Sequence, residues 1–170
     1  MMLSSEQTFI NQEMGTLRPE LGDFSSIIFL KAIIIGLEEA LGHKTAGIAM
    51  LSAGRNQGRN FAQNLDLVGN QAIWSVEDIK EKMNLVLGKQ GTRLCIIDKI
   101  ELKENVYKVH TKETFCSAGE AQGSPRICIY TLGVIQGFLE AVLNKRFQGK
   151  QIESVLRAGT HDVFEYSTLA

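Results

Sequence analysis

Leu51 to Ala62 reads LSAGRNQGRNFA, and Cys128 to Ala141 reads CIYTLGVIQGFLEA. Each stretch sets small residues four apart: Gly54, Gly58 and Ala62 in the first, Gly133, Gly137 and Ala141 in the second. Residues four apart lie along one ridge of a helix, so each helix carries a stripe with almost no side chain. A mid-helix glycine costs about 0.5–1 kcal/mol relative to alanine, so four cost about 2–4 kcal/mol. Close approach of two backbones offsets that through dispersion contacts. The pattern has two readings: tight packing of the helices on a neighbour, or stripes that leave room for a ligand or for the same helix of a second subunit. Phe29, Ile35, Met50, Leu51, Phe61, Phe138 and Leu139 flank the stripes, and such residues make either a plain core or an apolar pocket lining.

Outward from these stripes the order of elements fixes the fold class. Asp23 or Ser25 is placed to cap a helix over about 25–42, and Gly42 to stop it. A second helix runs over about 44–64, and a third opens at Ser75, with Asp78 three residues on as a capping-box partner. Ile79, Met83 and Val86 give that third helix its apolar face. Leu94–Leu102 and Val106–His110 are β-rich and flank a turn at Lys103-Glu104-Asn105. The fourth helix covers about 127–144. A closing hairpin is expected from Gln151–Arg157 and Asp162–Ser167, turning at Ala158-Gly159-Thr160. Helices, hairpin, helix, hairpin is the order of an α+β domain with helices on one face of an antiparallel sheet. Residues 1–22 read as an N-terminal arm and 23–170 as a single domain.

The most apolar run, Ile27–Leu37 (IIFLKAIIIGL), is too short to span a membrane and is interrupted by Lys31. Its isoleucines and Phe29 cover every helical face, so it is expected to be buried on nearly all sides, partly against a second copy of the chain.

The chain has 170 residues, 44% of them hydrophobic and 22% charged, with a net charge of -1. That balance is ordinary for a globular domain and argues against a nucleic-acid binder, which carries a basic excess. No basic start followed by an apolar core marks a signal peptide at the N-terminus. Cys95, Cys116 and Cys128 are odd in number and lack CxxC spacing, so they read as reduced thiols of a cytoplasmic protein. Cys95 and Cys128, among Leu and Ile, read as small buried hydrophobes, and Cys116, beside Ser117, as the exposed, reactive thiol. His43, His110 and His161 stand far apart with no close ligand pair, so no metal site is expected. The nucleophile elbow, the phosphate loop and the GxGxxG turn are all missing, so no cofactor and no catalytic residue are assigned. Arg55 and Arg59 are expected to face solvent or to pair with an acid such as Glu38.

The stretch from Leu51 through Gly58 to Ala62, with Cys128 through Gly133 to Leu139, resembles the 4-vinyl-reductase-type hydrocarbon-binding domain. Gly159, Val163 and Tyr166 resemble remnants of its C-terminal signature. The resemblance implies a fold related to the small subunits of the TRAPP vesicle-tethering complex, often dimeric, with an apolar cavity for hydrocarbons, acyl chains or tetrapyrrole-like molecules. Some relatives are associated with chlorophyll synthesis or photosystem assembly. Val155 and Val163 stand where the family often carries metal-binding cysteines, and Cys128 alone matches a family cysteine position. On this basis the expected function is a non-catalytic, dimeric binding module for a hydrophobic small molecule. Its candidate contacts are Phe29, Ile35, Met50, Gly54, Gly58, Phe61, Cys128, Gly133, Gly137 and Phe138. Gly58, beside Arg59 and Phe61, reads as packed on its small face, whereas Gly137 is placed in the pocket wall. The competing readings are a dimeric assembly factor with a solid core and an enzyme of tetrapyrrole metabolism.

Overall fold

The computed structural model describes residue 20, residues 26–69 and residues 74–169. The expected N-terminal arm and the caps proposed at Asp23 and Ser25 lie outside the described residues, Glu20 excepted. Helix α1 spans Ile27–Leu41 and is capped by Ser26, whose hydroxyl accepts from the Ile28 N–H. Gly42 ends it at φ +77°, a conformation open to glycine, and α2, His43–Asn64, begins at once. Ser75 and Asp78 form the expected reciprocal capping box at the start of α3, Val76–Leu87.

Strands β1, Ile96–Lys103, and β2, Val106–Lys112, are joined through Glu104 and Asn105. Both turn residues have positive φ, +50° and +64°, as the turn that matches strand twist requires. Helix α4, Ile129–Leu143, follows and ends on Asn144 in the left-handed region. Strands β3, Phe147–Glu153, and β4, Asp162–Thr168, complete a fully antiparallel sheet in the order β1-β2-β4-β3. The last hairpin therefore departs from its expected limits. The strand starts four residues earlier, and Val155–Arg157 forms a short 3-10 turn instead. Asp162 accounts for the far end: its buried carboxylate accepts from Ser117 Oγ (2.6 Å), Ser154 Oγ (2.7 Å), Gln151 Nε2 (2.9 Å) and the Val155 N–H (3.3 Å). That carboxylate draws the connection inward, so the strand pairing stops short of it.

One face of the sheet is apolar and carries α4. Val109, Phe164 and Tyr166 are fully buried there, and the Tyr166 hydroxyl donates to the Leu132 carbonyl at 3.0 Å. The other face bears ion pairs such as Lys150–Glu165 and Lys112–Asp98. Helices therefore lie on one face of an antiparallel sheet, as the element order implied.

The two small-residue stripes meet. A Cβ at Gly58 would lie 2.0 Å from the Val134 carbonyl oxygen, and one at Gly137 would lie 2.0 Å from the Arg55 carbonyl oxygen. At Gly54 and Gly133 the corresponding distances are 2.4 Å to Tyr130 O and 2.5 Å to Leu51 O. Helices α2 and α4 thus cross backbone to backbone. Gly137 forms no pocket wall, which corrects the expectation: its missing side chain is where α2 sits. Glu140, one turn further along α4, bolts the crossing. It accepts from Arg55 Nε (3.0 Å) and Nη2 (2.8 Å), Arg59 Nη2 (2.9 Å), Gln136 Nε2 (3.2 Å) and the Phe147 N–H (3.2 Å). Arg55 and Arg59 consequently pair with Glu140 rather than Glu38. Burial pushes the Glu140 carboxyl pKa up, but these donors outweigh it and hold it below the usual carboxylate value.

Helix α1 is left uncovered in the single chain. None of its residues is buried in the single chain, and Ile28 and Phe29 are 77% and 58% exposed. Its half-buried residues are Lys31, Ile34 and Glu38, so the side facing the body carries two charges. Much of its apolar surface faces outward.

Candidate ligand-binding cleft

Charges hold α1 in place over the body. Arg126 donates from both terminal nitrogens to the Glu38 carboxylate (3.1 and 3.2 Å), and its Nε lies 3.3 Å from Glu120. Lys31 reaches Glu120 at 2.8 Å and also donates to the Ala118 carbonyl. Burial works against the Arg126 charge, but Glu38 and Glu120 more than offset it and push the guanidinium pKa up. The hydrogen bond from Lys31 draws the Glu120 carboxyl down despite its partial burial. This network bridges α1 and the loop before α4, leaving an opening to one side.

That opening is a cleft of about 660 Å³. Ile27, Leu30, Ile33 and Ile34 of α1 form one wall, and Met50, Gln57 and Phe61 of α2 another. Tyr130 and Val134 of α4 face them, and Leu94 and Phe115 belong to the flanking loops. The lining is mostly apolar, which suits a largely hydrophobic guest. Its polar groups include the Gln57 amide, the Tyr130 hydroxyl and Thr92, whose hydroxyl is already donated to the Val86 carbonyl at 2.9 Å. Burial pushes the Tyr130 hydroxyl pKa up, with a further push from Cys116, so at neutral pH it keeps its proton and can donate it. Beside the cleft, against Cys116, Arg126 and Ile35, is a slot of about 20 Å³, room for roughly one water-sized molecule.

No family model matches the sequence, and no curated protein matches it. Solved structures do. The phenol-responsive sensory domain of the transcription activator PoxR, solved with phenol, superposes with a TM-score of 0.66 at 14% identity, covering 98% of this chain and 92% of that one. A vinyl-4-reductase family protein from Methanocaldococcus jannaschii gives 0.58 at 14% identity, covering 97% and 92%. A trafficking protein particle complex subunit 3 from Naegleria fowleri, covalently bound to palmitic acid, gives 0.60 at 14% identity, covering 85% and 93%. The chain has the 4-vinyl-reductase-type fold, related to the TRAPP small subunits.

Within this 4-vinyl-reductase-type fold the residues singled out from sequence divide into three groups. Met50 and Phe61 line the cleft, and Ile35 lines the small slot beside Met50. Gly54, Gly58, Gly133 and Gly137 belong to the helix crossing and border backbone, while Phe138 and Cys128 are fully buried. Phe29 stands in solvent on the outer side of α1. Leu30, Ile33, Gln57, Tyr130 and Phe115 were not singled out. The recoverable signal was the ridge beside the glycines: Met50, Gln57 and Phe61 recur at helical spacing next to Gly54 and Gly58, as do Tyr130 and Val134 next to Gly133.

The cysteines also need a correction. All three are free and buried, and Cys116, expected in solvent, has its sulfur 3.7 Å from Thr131 Oγ1 in the first turn of α4. Residues 113–128 fold back beneath α1, which removes Cys116 from bulk water. Among the described residues no group of three or more His, Cys, Asp or Glu side chains could hold a metal ion, and no helix is long and apolar enough to cross a membrane.

Proposed function

We propose that this chain is a non-catalytic binding module that takes a hydrophobic small molecule into the cleft beneath α1 and works as a dimer. The observation that carries the reading is the cleft itself, about 660 Å³ and predominantly apolar, large enough for most of a drug-sized or acyl-chain guest. The Tyr130 hydroxyl and Gln57 amide would orient one hydroxyl or carbonyl group on an otherwise apolar guest. The phenol of one structural neighbour and the palmitate of another are guests of that general kind. Dimerisation is supported by α1, because Ile28, Phe29, Leu37 and Leu41 are all exposed in the single chain, apolar surface of the kind a partner covers.

The test is direct. Organic extraction of the purified protein, followed by mass spectrometry, should release an apolar small molecule. Stripped protein should bind a fluorescent fatty acid that palmitate or phenol displaces. Met50→Glu should abolish binding while leaving the circular dichroism spectrum intact. Protein that carries no guest and takes up no probe would refute the reading.

The filled crossing of α2 and α4 and the outward apolar face of α1 also favour a second reading, a dimeric assembly factor with a solid core. A stable protein partner isolated from the native cell without any small-molecule guest would select it. The photosystem and chlorophyll association implied by the resemblance draws no support from the geometry.

A further inference from the structure

We infer that Met50 is the specificity-determining residue of the cleft: its side chain separates the cleft from a second compartment beside α1, and so limits the length of a linear alkyl-chain guest. The role presupposes that the cleft binds a hydrophobic guest. The second compartment is a groove of about 500 Å³ lined by Glu38 of α1, by Gly47 and Met50 of α2, and by Pro125, Ile127 and Ile129. Gly47 brings α2 against Ile129, since a Cβ there would lie 3.3 Å from the Ile129 Cδ1. Between cleft and groove is the slot of about 20 Å³. It shares Ile34, Met50 and Tyr130 with the cleft, and Met50, Ile127 and Ile129 with the groove. Of the described residues, Met50 alone lines all three spaces. It stands one turn along α2 from Gly47, so the stretch of helix that floors the groove also carries the partition.

The slot is a waist that an alkyl chain does not pass. It has room for roughly one water-sized molecule. Lifting α1 would widen it, but Arg126 holds Glu38 at 3.1 and 3.2 Å and Lys31 holds Glu120 at 2.8 Å, and three of these four side chains line the slot itself. Ile34, Ile127 and Ile129 are branched at Cβ and stiff at χ1. Tyr130 is anchored where its carbonyl meets Gly54 in the helix crossing. Met50 is the adjustable member, half-buried, unbranched and free to turn about three side-chain bonds. A guest that ends inside the cleft leaves Met50 in place. Within the cleft each added methylene raises affinity by up to about fourfold. A longer chain has to displace Met50 from its contacts or fold back on itself, so the gain stops at a definite length. Removing the side chain joins cleft, slot and groove beneath α1.

The experiment titrates the full chain, stripped of any guest, with saturated fatty acids from octanoic to octadecanoic by calorimetry. Wild-type affinity should climb with chain length and then stop. Met50→Ala should move that limit outward by about three carbons, the number of heavy atoms removed beyond Cβ. The acid that long should then bind the variant tighter than wild type by on the order of tenfold or more. Met50→Phe should move the limit inward, which keeps the role testable if Met50→Ala fails to fold. Ile127→Glu added to Met50→Ala sets a carboxylate in the groove and should return the limit to its wild-type length. The length limit is the readout because a substitution that merely loosens the cleft changes affinity for every chain and leaves the limit where it was. One limit shared by wild type, Met50→Ala and Met50→Phe would overturn the role and leave the binding module standing. A wild-type chain that gains affinity all the way to octadecanoic acid would do the same. A chain that takes up no acid at all would overturn the role and the module together.

Discussion

Replacing Gly137 by alanine adds one methyl group and tests the architecture at its narrowest point. The new carbon would lie 2.0 Å from the Arg55 carbonyl oxygen and 2.8 Å from the Arg55 carbonyl carbon. A tolerable carbon–oxygen contact is about 3.3 Å, so the helices would have to part by about 1.3 Å at that point. A gap of even 0.5–1 Å forfeits roughly a quarter to a half of each dispersion contact along the seam. Overpacking of this kind costs about 1–3 kcal/mol, occasionally more, while the better helix propensity of alanine returns only about 0.5–1 kcal/mol. Backbone atoms cannot swing aside as a side chain can, so the upper end of the range applies, and a net loss of about 2–2.5 kcal/mol is expected. For a domain of this length that lowers Tm by roughly 4–10 °C. Gly36→Ala is the control. It lies mid-helix in α1 with no atom within 4 Å of its would-be Cβ, so it should gain about 0.5–1 kcal/mol from propensity alone. Thermal melts of both variants, followed by circular dichroism, are expected to shift in opposite directions. A Gly137→Ala protein as stable as wild type, or more so, would refute the backbone crossing and restore Gly137 to an open pocket.

Glu140→Gln should destabilise the chain by about 1–3 kcal/mol at neutral pH, the scale of a lost charged hydrogen-bond network whose Arg55 and Arg59 still reach water. Because the folded Glu140 carboxyl titrates below its unfolded value, its stabilisation is present above about pH 4.3 and fades as pH falls through the folded value. Denaturant melts of variant and wild type should therefore converge under acid conditions, and a gap that widens there would count against the assignment. Arg126→Gln should leave global stability nearly intact while speeding amide hydrogen exchange in α1, and unchanged exchange would mean the ion network does not hold that helix. Light scattering should give a dimer for the wild type and a monomer for the Ile28→Glu, Phe29→Glu double variant, and a wild-type monomer at micromolar concentration would defeat the proposed dimer. A chelator should leave Tm unchanged, and a drop of several degrees would reveal a bound metal.

What could be read in advance was local. The four-residue spacing of Gly54 and Gly58, and of Gly133 and Gly137, announced two helices with bare stripes. Ser75 with Asp78 announced the start of a third. Glu104-Asn105 between two β-rich runs announced a tight turn. Each is decided by residues within a few positions of one another, where propensity and capping act. What could not be read depends on distant partners. Arg55 and Arg59 meet Glu140 across sequence separations of 85 and 81 residues. Asp162 gathers Ser117 from 45 residues away, and this moves the end of β3. Cys116 looked exposed because its neighbours are small and polar, but a long-range fold of the loop under α1 decides its burial.

Helix α1 shows a different limit. Apolar residues on every face read as burial, and the inference holds only for the assembly in which the helix is covered. Within one chain its inward side is chosen by Lys31 and Glu38, because Glu120 and Arg126 offer them partners near the body. An unpaired charge under the helix would cost more than leaving isoleucine in water. The ion network therefore sets the rotation of α1 and turns much of its greasy surface outward. The same rotation holds Ile27, Leu30 and Ile33 at the mouth of the cleft. The bare stripes of α2 and α4 are consumed by contact with each other, so any pocket has to form one ridge over, where Met50, Phe61 and Tyr130 face the underside of α1. The glycines do not line the site; by closing the crossing they fix where it can be.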